Sequence, residues 1–386
     1  MSAAKTVMMV AGEASGDMYG ARLVSALRNL APGIRFFGIG GPKMEEAEVR
    51  ILYRVSELAV VGMTEVLPKM RFIHKALNEL KDALKDNPPD LVILIDYPGF
   101  NLHLAKKAHD LGIPVLYYIP PQVWAWRERR VKKIAKRVDR IAVILPFEKE
   151  FYAGYGIKVE YVGHPLLDGL EERKGNERVR GHLGFGGRRF PVVGLLPGSR
   201  NEEIARHMPP MVGAAKIIAR TYPDLRCMLP LAPTVSEETV KPYLKDVNFD
   251  VTLCSADTKE VLGDCDLALI ASGTATLEGA ITGTPMVILY KVSFLTFVIT
   301  KLLAKVTHIG LVNLVAGGEI VPELIQGDAT DSRLAEEGLR ILEDEAMRED
   351  MRASLRMVRD QLGQGGASER AAAIAGEMMG LGIEGE

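Results

Sequence analysis

Leu91–Asn101 reads LVILIDYPGFN. Five apolar residues run without a polar break. Asp96 and Tyr97 then lead into Pro98, which cannot donate to a sheet ladder and suits the first turn of a helix. A strand that is apolar on both faces belongs in a parallel sheet covered on both sides. The same grammar recurs outward in both directions. Thr6–Val10, Ile34–Ile39, Val115–Ile119 and Arg140–Leu145 read as further strands. Met18–Leu30, Met70–Leu84, Leu102–Leu111 and Arg129–Arg137 read as the helices between them. A βαβα run of this kind predicts a doubly wound sheet.

The alternation halts near Val162–Pro165, and Glu171–Arg189 is polar, charged and glycine-rich, as a linker would be. A second alternation follows. Pro191–Leu196, Arg226–Leu231, Phe249–Leu253, Leu267–Ala271 and Met286–Tyr290 read as strands; Asn201–Thr221, Lys259–Leu262 and Thr274–Ile281 read as helices. Asp331–Met379 is helical by pattern. The expected fold class is α/β, with two Rossmann-like doubly wound domains facing a cleft and C-terminal helices. The expected divisions are 1–170, 171–330 and 331–386, the last crossing back to the first domain or joining a homodimer. A chain of 386 residues suits two such domains.

Composition narrows the function. Lys plus Arg is 48 and Asp plus Glu is 50, a formal charge of −2, which argues against a general nucleic-acid binder. The chain is 47% hydrophobic and 25% charged, which excludes intrinsic disorder. Cys227, Cys254 and Cys265 form no CxxC pair, so neither a zinc ribbon nor a disulfide framework is expected, and a reducing compartment fits. His164 and His207 lack paired ligand spacing and read as structural or polar-surface residues. No metal and no cofactor are expected. The opening residues do not read as a signal peptide, and no apolar stretch is long enough to span a membrane. Met286–Val306 comes nearest, but Lys291, Lys301 and Lys305 interrupt it. Its helical pattern (Phe294, Leu295, Val298, Ile299, Leu302, Leu303) fits a buried helix or an interfacial one equally.

Ligands of open α/β sheets bind beyond the carboxyl ends of the strands. Four such ends stand out. The first is Gly12–Asp17 (GEASGD), where small residues let helix-start amides approach an anion or sugar. It is neither GxGxxG nor GxxxxGK[ST], so a dinucleotide site and a P-loop lose support. A tight turn with Asp17 as a helix cap is the competing reading. The second is Asp96, a carboxylate at a strand end, suited to general-base work or to capping a turn. The third is Leu196–Arg200 (LPGSR). Gly198 and Ser199 expose backbone donors, and the Arg200 fork can hold a phosphate bidentately, unless it pairs with Glu202 or Glu203. The fourth is Ala271–Glu278 (ASGTATLE). Ser272, Thr274 and the turn amides suit phosphate oxygens, and Glu278 suits a ribose diol or simply a helix N-terminus. Two phosphate-type turns in one domain and a carboxylate in the other suggest a GT-B glycosyltransferase, with charge on the protein stabilising the leaving nucleotide.

These motifs, with Pro120–Trp126 (PPQVWAW) and Asn313–Gln326 (NLVAGGEIVPELIQ), resemble the lipid-A-disaccharide synthase family in consistent order from about Val7 to Gln326. The resemblance implies an inverting glycosyltransferase that moves 2,3-diacylglucosamine from its UDP donor to 2,3-diacylglucosamine 1-phosphate. It implies Asp96 as catalytic base. It implies Gly198, Ser199, Arg200, Ser272, Gly273, Thr274, Ala275, Thr276, Glu278, Asn313 and Gln326 around the donor, and Glu13, Ser15 and Gly16 at the cleft. Gly99 stands where the family pattern carries an acidic residue, which removes a competing carboxylate. A UDP-sugar 2-epimerase or a nucleotide-sugar binding protein of the same fold is the alternative.

An enzyme acting on acyl chains must reach a lipid surface. Val60, Val61, Met63, Val66, Leu67 and Met70, with Phe72 and Ile73, form an apolar cluster beside Lys69, Arg71 and Lys75. This fits a patch on an anionic inner-membrane surface, or ordinary helix–sheet packing. A basic run from Arg127 to Arg140 follows Trp124 and Trp126 and reads as a solvated face, a site for anionic lipid or acceptor phosphate, or, last, an RNA-stacking surface. The resemblance implies a cytoplasmic protein peripheral to the inner membrane.

Overall fold

A computed structural model describes residues 4–58, 66–126, 130–168, 191–232, 234–293, 297 and 307–381. They form two compact units. The described residues up to Asp168, together with those from Gln364 onward, make the first; the described residues between them make the second.

The first unit is built on a seven-stranded sheet. Its strands are β1 (Thr6–Ala11), β2 (Arg35–Gly40), β3 (Arg50–Arg54), β4 (Leu91–Ile95), β5 (Val115–Tyr118), β6 (Arg140–Val143) and β7 (Lys158–Tyr161). The spatial order is β3-β2-β1-β4-β5-β6-β7, and every pair is parallel. β1, β4 and β5 are buried almost throughout, which explains their uninterrupted apolar composition. Helices Ala14–Leu30, Val66–Asp86 and Pro98–Asp110 supply the cover.

The second unit carries a six-stranded sheet. Its strands are β8 (Val192–Leu196), β9 (Arg226–Pro230), β10 (Asp250–Cys254), β11 (Leu267–Ala271), β12 (Met286–Tyr290) and β13 (Glu323–Ile325). The order is β10-β9-β8-β11-β12-β13, again all parallel. Helix Asn201–Thr221 follows β8 and helix Ala275–Thr282 follows β11.

Each sheet reverses its winding once, between β1 and β4 in the first and between β8 and β11 in the second. Such a switch point opens a crevice at the carboxyl ends of the two strands. The four motifs singled out above leave those four strands.

The tail divides between the units. Helices Asp331–Glu343 and Glu345–Gln361 belong to the second unit, and helix Ala367–Met378 to the first. Asp168 fixes the return: its carboxylate accepts the backbone N–H groups of Gly366 (2.9 Å), Ala367 (2.9 Å) and Ser368 (3.1 Å) at the start of that last helix. Arg140 pairs with Glu160 and, at 2.6 Å, with Glu377. Arg140 is therefore a buried tie to the tail, not part of a solvated basic face.

The apolar cluster proposed for a membrane divides as well. Val60, Val61 and Met63 lie outside the described residues, as do Arg127, Arg129 and most of the 294–306 stretch. Val66 and Leu67 open the helix Val66–Asp86. Met70 is 44% exposed, whereas Phe72 and Ile73 pack against the core. No helix among the described residues is long and apolar enough to cross a membrane.

Candidate active site

At the first switch point, β1 and β4 run side by side with Ala11 paired to Ile95. The chains that leave them touch at once. A Cβ on Gly12 would collide with the Tyr97 side chain, so only glycine admits this approach. Asp96 and Tyr97 both take left-handed backbone conformations, with φ of +49° and +48°. Two such residues in succession are strained unless something else holds them. Asp96 is half-buried beside the start of helix Ala14–Leu30, where Glu13 is exposed, Ser15 half-buried and Gly16 buried. Asp17 serves structure: its carboxylate accepts N–H groups from Gly41 (2.7 Å), Lys43 (3.0 Å) and Met44 (3.0 Å) at the helix Pro42–Glu46.

A buried carboxyl nearby escaped the sequence reading. Glu148 accepts from Trp124 Nε1 (3.0 Å) and from Leu145 N (3.1 Å). Burial pushes it up to about 7, against those hydrogen bonds, which pull it down. It secures the PPQVWAW segment, as does Tyr152, whose hydroxyl donates to Pro121 O at 2.9 Å. The available signal was a glutamate three residues into a helix that opens with Pro146, the place for a capping carboxylate.

At the second switch point the LPGSR turn enters helix Asn201–Thr221. Gly198 has φ +115°, and a Cβ there would collide with the Glu203 carboxylate. Glu203 Oε2 accepts from Ser199 N (3.0 Å) and Arg200 N (3.3 Å), while Oε1 pairs with Arg200 Nη1 at 3.2 Å. The helix's own glutamate thus takes one of the two amides expected to face phosphate, that of Ser199, together with the Arg200 amide, and the Arg200 side chain, 62% exposed, rests on it. The competing pairing with Glu203 is the arrangement observed. Behind the turn, His207 is buried. Its Nδ1 lies 2.7 Å from Pro197 O, and its Nε2 accepts Lys291 N at 3.1 Å. Burial lowers its pKa, so the neutral ring joins the ends of β8 and β12. Its place on the Ile204–His207–Met211 stripe was the legible sign of burial.

The turn after β11 presents Gly273 (φ +156°) and the exposed Thr274. Ser272 Oγ donates to Ile309 O (2.9 Å), and the buried Thr276 hydroxyl donates to Gly273 O (2.8 Å). These two hydroxyls shape the turn; its outward side is formed by Gly273, Thr274 and Ala275. Glu278 lies one helical turn on. Burial and the nearby Asp257 charge push it up to about 7, and Lys259 opposes them.

The 313–326 segment is held from within. Asn313 is fully buried. Its amide donates to Val321 O and Glu323 Oε1, both at 2.8 Å, and accepts from Ile320 N and Val321 N. Glu323 also accepts from Ile309 N (2.8 Å) and Gly310 N (2.9 Å). Gln326 pairs both ways with the Val292 backbone, at 2.7 and 3.2 Å. All four polar interactions of the Asn313 amide are internal, so its observed work is to fix the segment. Glu323, inside the quoted motif but not singled out, is the hub. Among the described residues no group of three or more His, Cys, Asp or Glu side chains could hold a metal.

Comparisons with known proteins extend this picture. The model of a family described as lipid-A-disaccharide synthetase matches residues 7–377. A lipid-A-disaccharide synthase of Geobacter sulfurreducens is 49% identical over 375 residues, covering 97% of each chain. One of Nitrosococcus oceani is 43% identical over 383 residues, covering 98% of this chain and 99% of that one. Solved structures share the fold at low identity. The Staphylococcus aureus MnaA–UDP structure has a TM-score of 0.68 at 14% identity, covering 99% of both chains. The calicheamicin glycosyltransferase CalG4 has a TM-score of 0.59 at 15%, covering 97% of this chain and 98% of that one.

Proposed function

The chain belongs to the lipid-A-disaccharide synthase family, and from that membership we propose how its residues divide the reaction. Its activity is that of a lipid-A-disaccharide synthase, a glycosyltransferase with a GT-B-like fold. The donor is UDP-2,3-diacylglucosamine and the acceptor 2,3-diacylglucosamine 1-phosphate. Asp96 takes the proton from the acceptor's 6-hydroxyl. That oxygen attacks the anomeric carbon, the bond to the UDP oxygen breaks, and a β(1→6) linkage forms with inversion. Arg200 swings from Glu203 onto the diphosphate, and its fixed positive charge balances the charge that grows on the leaving oxygen. Gly273, Thr274 and Ala275 line the phosphate side of the neighbouring turn, and Glu278 accepts from the ribose hydroxyls.

One observation carries this reading. Each sheet brings its own pair of motifs to the crevice at its own switch point, the carboxylate in the first unit and the guanidinium in the second. The test is mass spectrometry of the product formed from donor and monophosphate acceptor. A disaccharide 1-phosphate plus UDP is expected. Conversion of the donor alone, with no acceptor consumed, would instead give the epimerase reading. The epimerase structures share only 14–16% identity with this chain, which speaks for fold alone.

The same reading places the enzyme on the cytoplasmic face of an anionic membrane. Exposed Met70 beside Arg71 and Lys75 supports it. Sedimentation with vesicles of anionic phospholipid, compared with neutral vesicles, tests it.

A further inference from the structure

The backbone of Asp96 is held more firmly than a strand end requires. Its N–H donates to Ile119 O at 3.1 Å. Its C=O accepts from Tyr117 Oη at 2.7 Å and from Asn101 Nδ2 at 2.6 Å. Tyr117 and Asn101 are both wholly buried. Asn101 Nδ2 also reaches Ile95 O at 3.3 Å, so one side chain spans the last two carbonyls of the strand exit. Burial, with the Asp96 charge adding, raises the Tyr117 phenol well above its ordinary pKa, so it remains a donor at any working pH.

A side chain on an extended strand points to one sheet face or the other. The left-handed turn at Asp96 removes its carboxylate from that alternation and redirects it at the sheet's end. Aspartate tolerates this conformation better than most residues, yet an ordinary extended one remains open to it. Rotating the peptide that follows Asp96 would turn its carbonyl away from both buried donors, leaving the Tyr117 hydroxyl without this acceptor and Asn101 Nδ2 with only its longer bond to Ile95 O, which burial penalises. We propose that Tyr117 and Asn101 are positioning residues that lock the Asp96 carboxylate in its working direction. This rests on Asp96 as the base of the transfer.

The experiment uses the full-length enzyme with donor and monophosphate acceptor. Tyr117→Phe keeps the ring and removes the donor; Asn101→Ser shortens the reach and serves as the second variant. Each should lower kcat by about ten- to a hundred-fold, the scale of a misplaced reacting group, with KM and UDP affinity unchanged. Combined with Asp96→Asn, Tyr117→Phe should add nothing, because there is no longer a base to aim. Wild-type turnover in both single variants would overturn the proposal. So would a Tyr117→Phe loss that multiplies onto the Asp96→Asn loss, since that is the mark of general weakening of the fold. If Asp96→Asn alone keeps wild-type turnover, the base assignment itself fails, whatever the other variants do, and the proposal falls with it.

Discussion

The loop after β4 and the turn after β8 each leave a strand that borders the switch point of its own sheet, and they are secured in opposite ways. Asp96 is caught through its backbone by the Ile119 carbonyl and by the buried side chains of Tyr117 and Asn101. Arg200 is caught through its side chain by Glu203, one turn along its own helix and partly exposed. A group that must meet a proton at one fixed point gains from a rigid mount. A group that must accommodate a diphosphate arriving and UDP leaving gains from a weak, exchangeable partner. A solvent-exposed ion pair is worth only about 0–1 kcal/mol, so a doubly charged ligand can displace it.

The contrast can be broken most forcefully at the rigid end. Asp96→Asn should lower kcat by roughly 10²–10⁴-fold, the usual range for losing a general base, with little change in KM. Steady-state assay of disaccharide formation reads this, and turnover near wild type would move the base elsewhere. At the adaptable end, Arg200→Ala should weaken UDP binding by about 1.5–3 kcal/mol, the range for hydrogen bonds to charged groups. Titration calorimetry measures it directly.

Glu278 sharpens the comparison through pH. Its folded-state value of about 7 lies above the ordinary 4.5, so the folded chain holds a proton that the unfolded chain releases. Wild-type stability should therefore fall as pH rises from about 4.5 to about 7 and stay lowered above that. Glu278→Gln removes this contribution. Urea melts across that window should show the variant gaining about 1–3 kcal/mol on the wild type as pH rises. A constant difference would mean the carboxyl titrates normally. The smallest effect is expected at Glu203→Gln, which retains an acceptor for the Ser199 and Arg200 amides but removes the competing charge. UDP affinity should rise by less than about 1 kcal/mol. A marked loss would show that Glu203 orients Arg200 instead of yielding it.

The interior of both sheets was legible because buried parallel strands are written as unbroken apolar runs; β1, β4, β8 and β11 are plain in the sequence. The strands that escaped, β3, β7 and β13, all lie at sheet edges. Their residues alternate or are only half-buried, so a polar run such as Lys158–Tyr161 (KVEY) gives no strand signal. At the proposed site, motif position marks turns at the carboxyl ends of the switch-point strands but not the direction of each side chain. Asn313 and Gln326 lie in a matching motif, yet their amides are bound to Val321, Glu323 and Val292. Glu323 and Tyr117 went unremarked because their partners, chiefly backbone atoms, lie ten or more residues away along the chain, which no local spacing reveals.

The division of labour is tested most directly by titrating UDP into Asp96→Asn. If the acid serves only the acceptor, this variant binds UDP as tightly as the wild type does. Affinity reduced as far as in Arg200→Ala would contradict the account, because the carboxylate would then be part of the nucleotide's own grip.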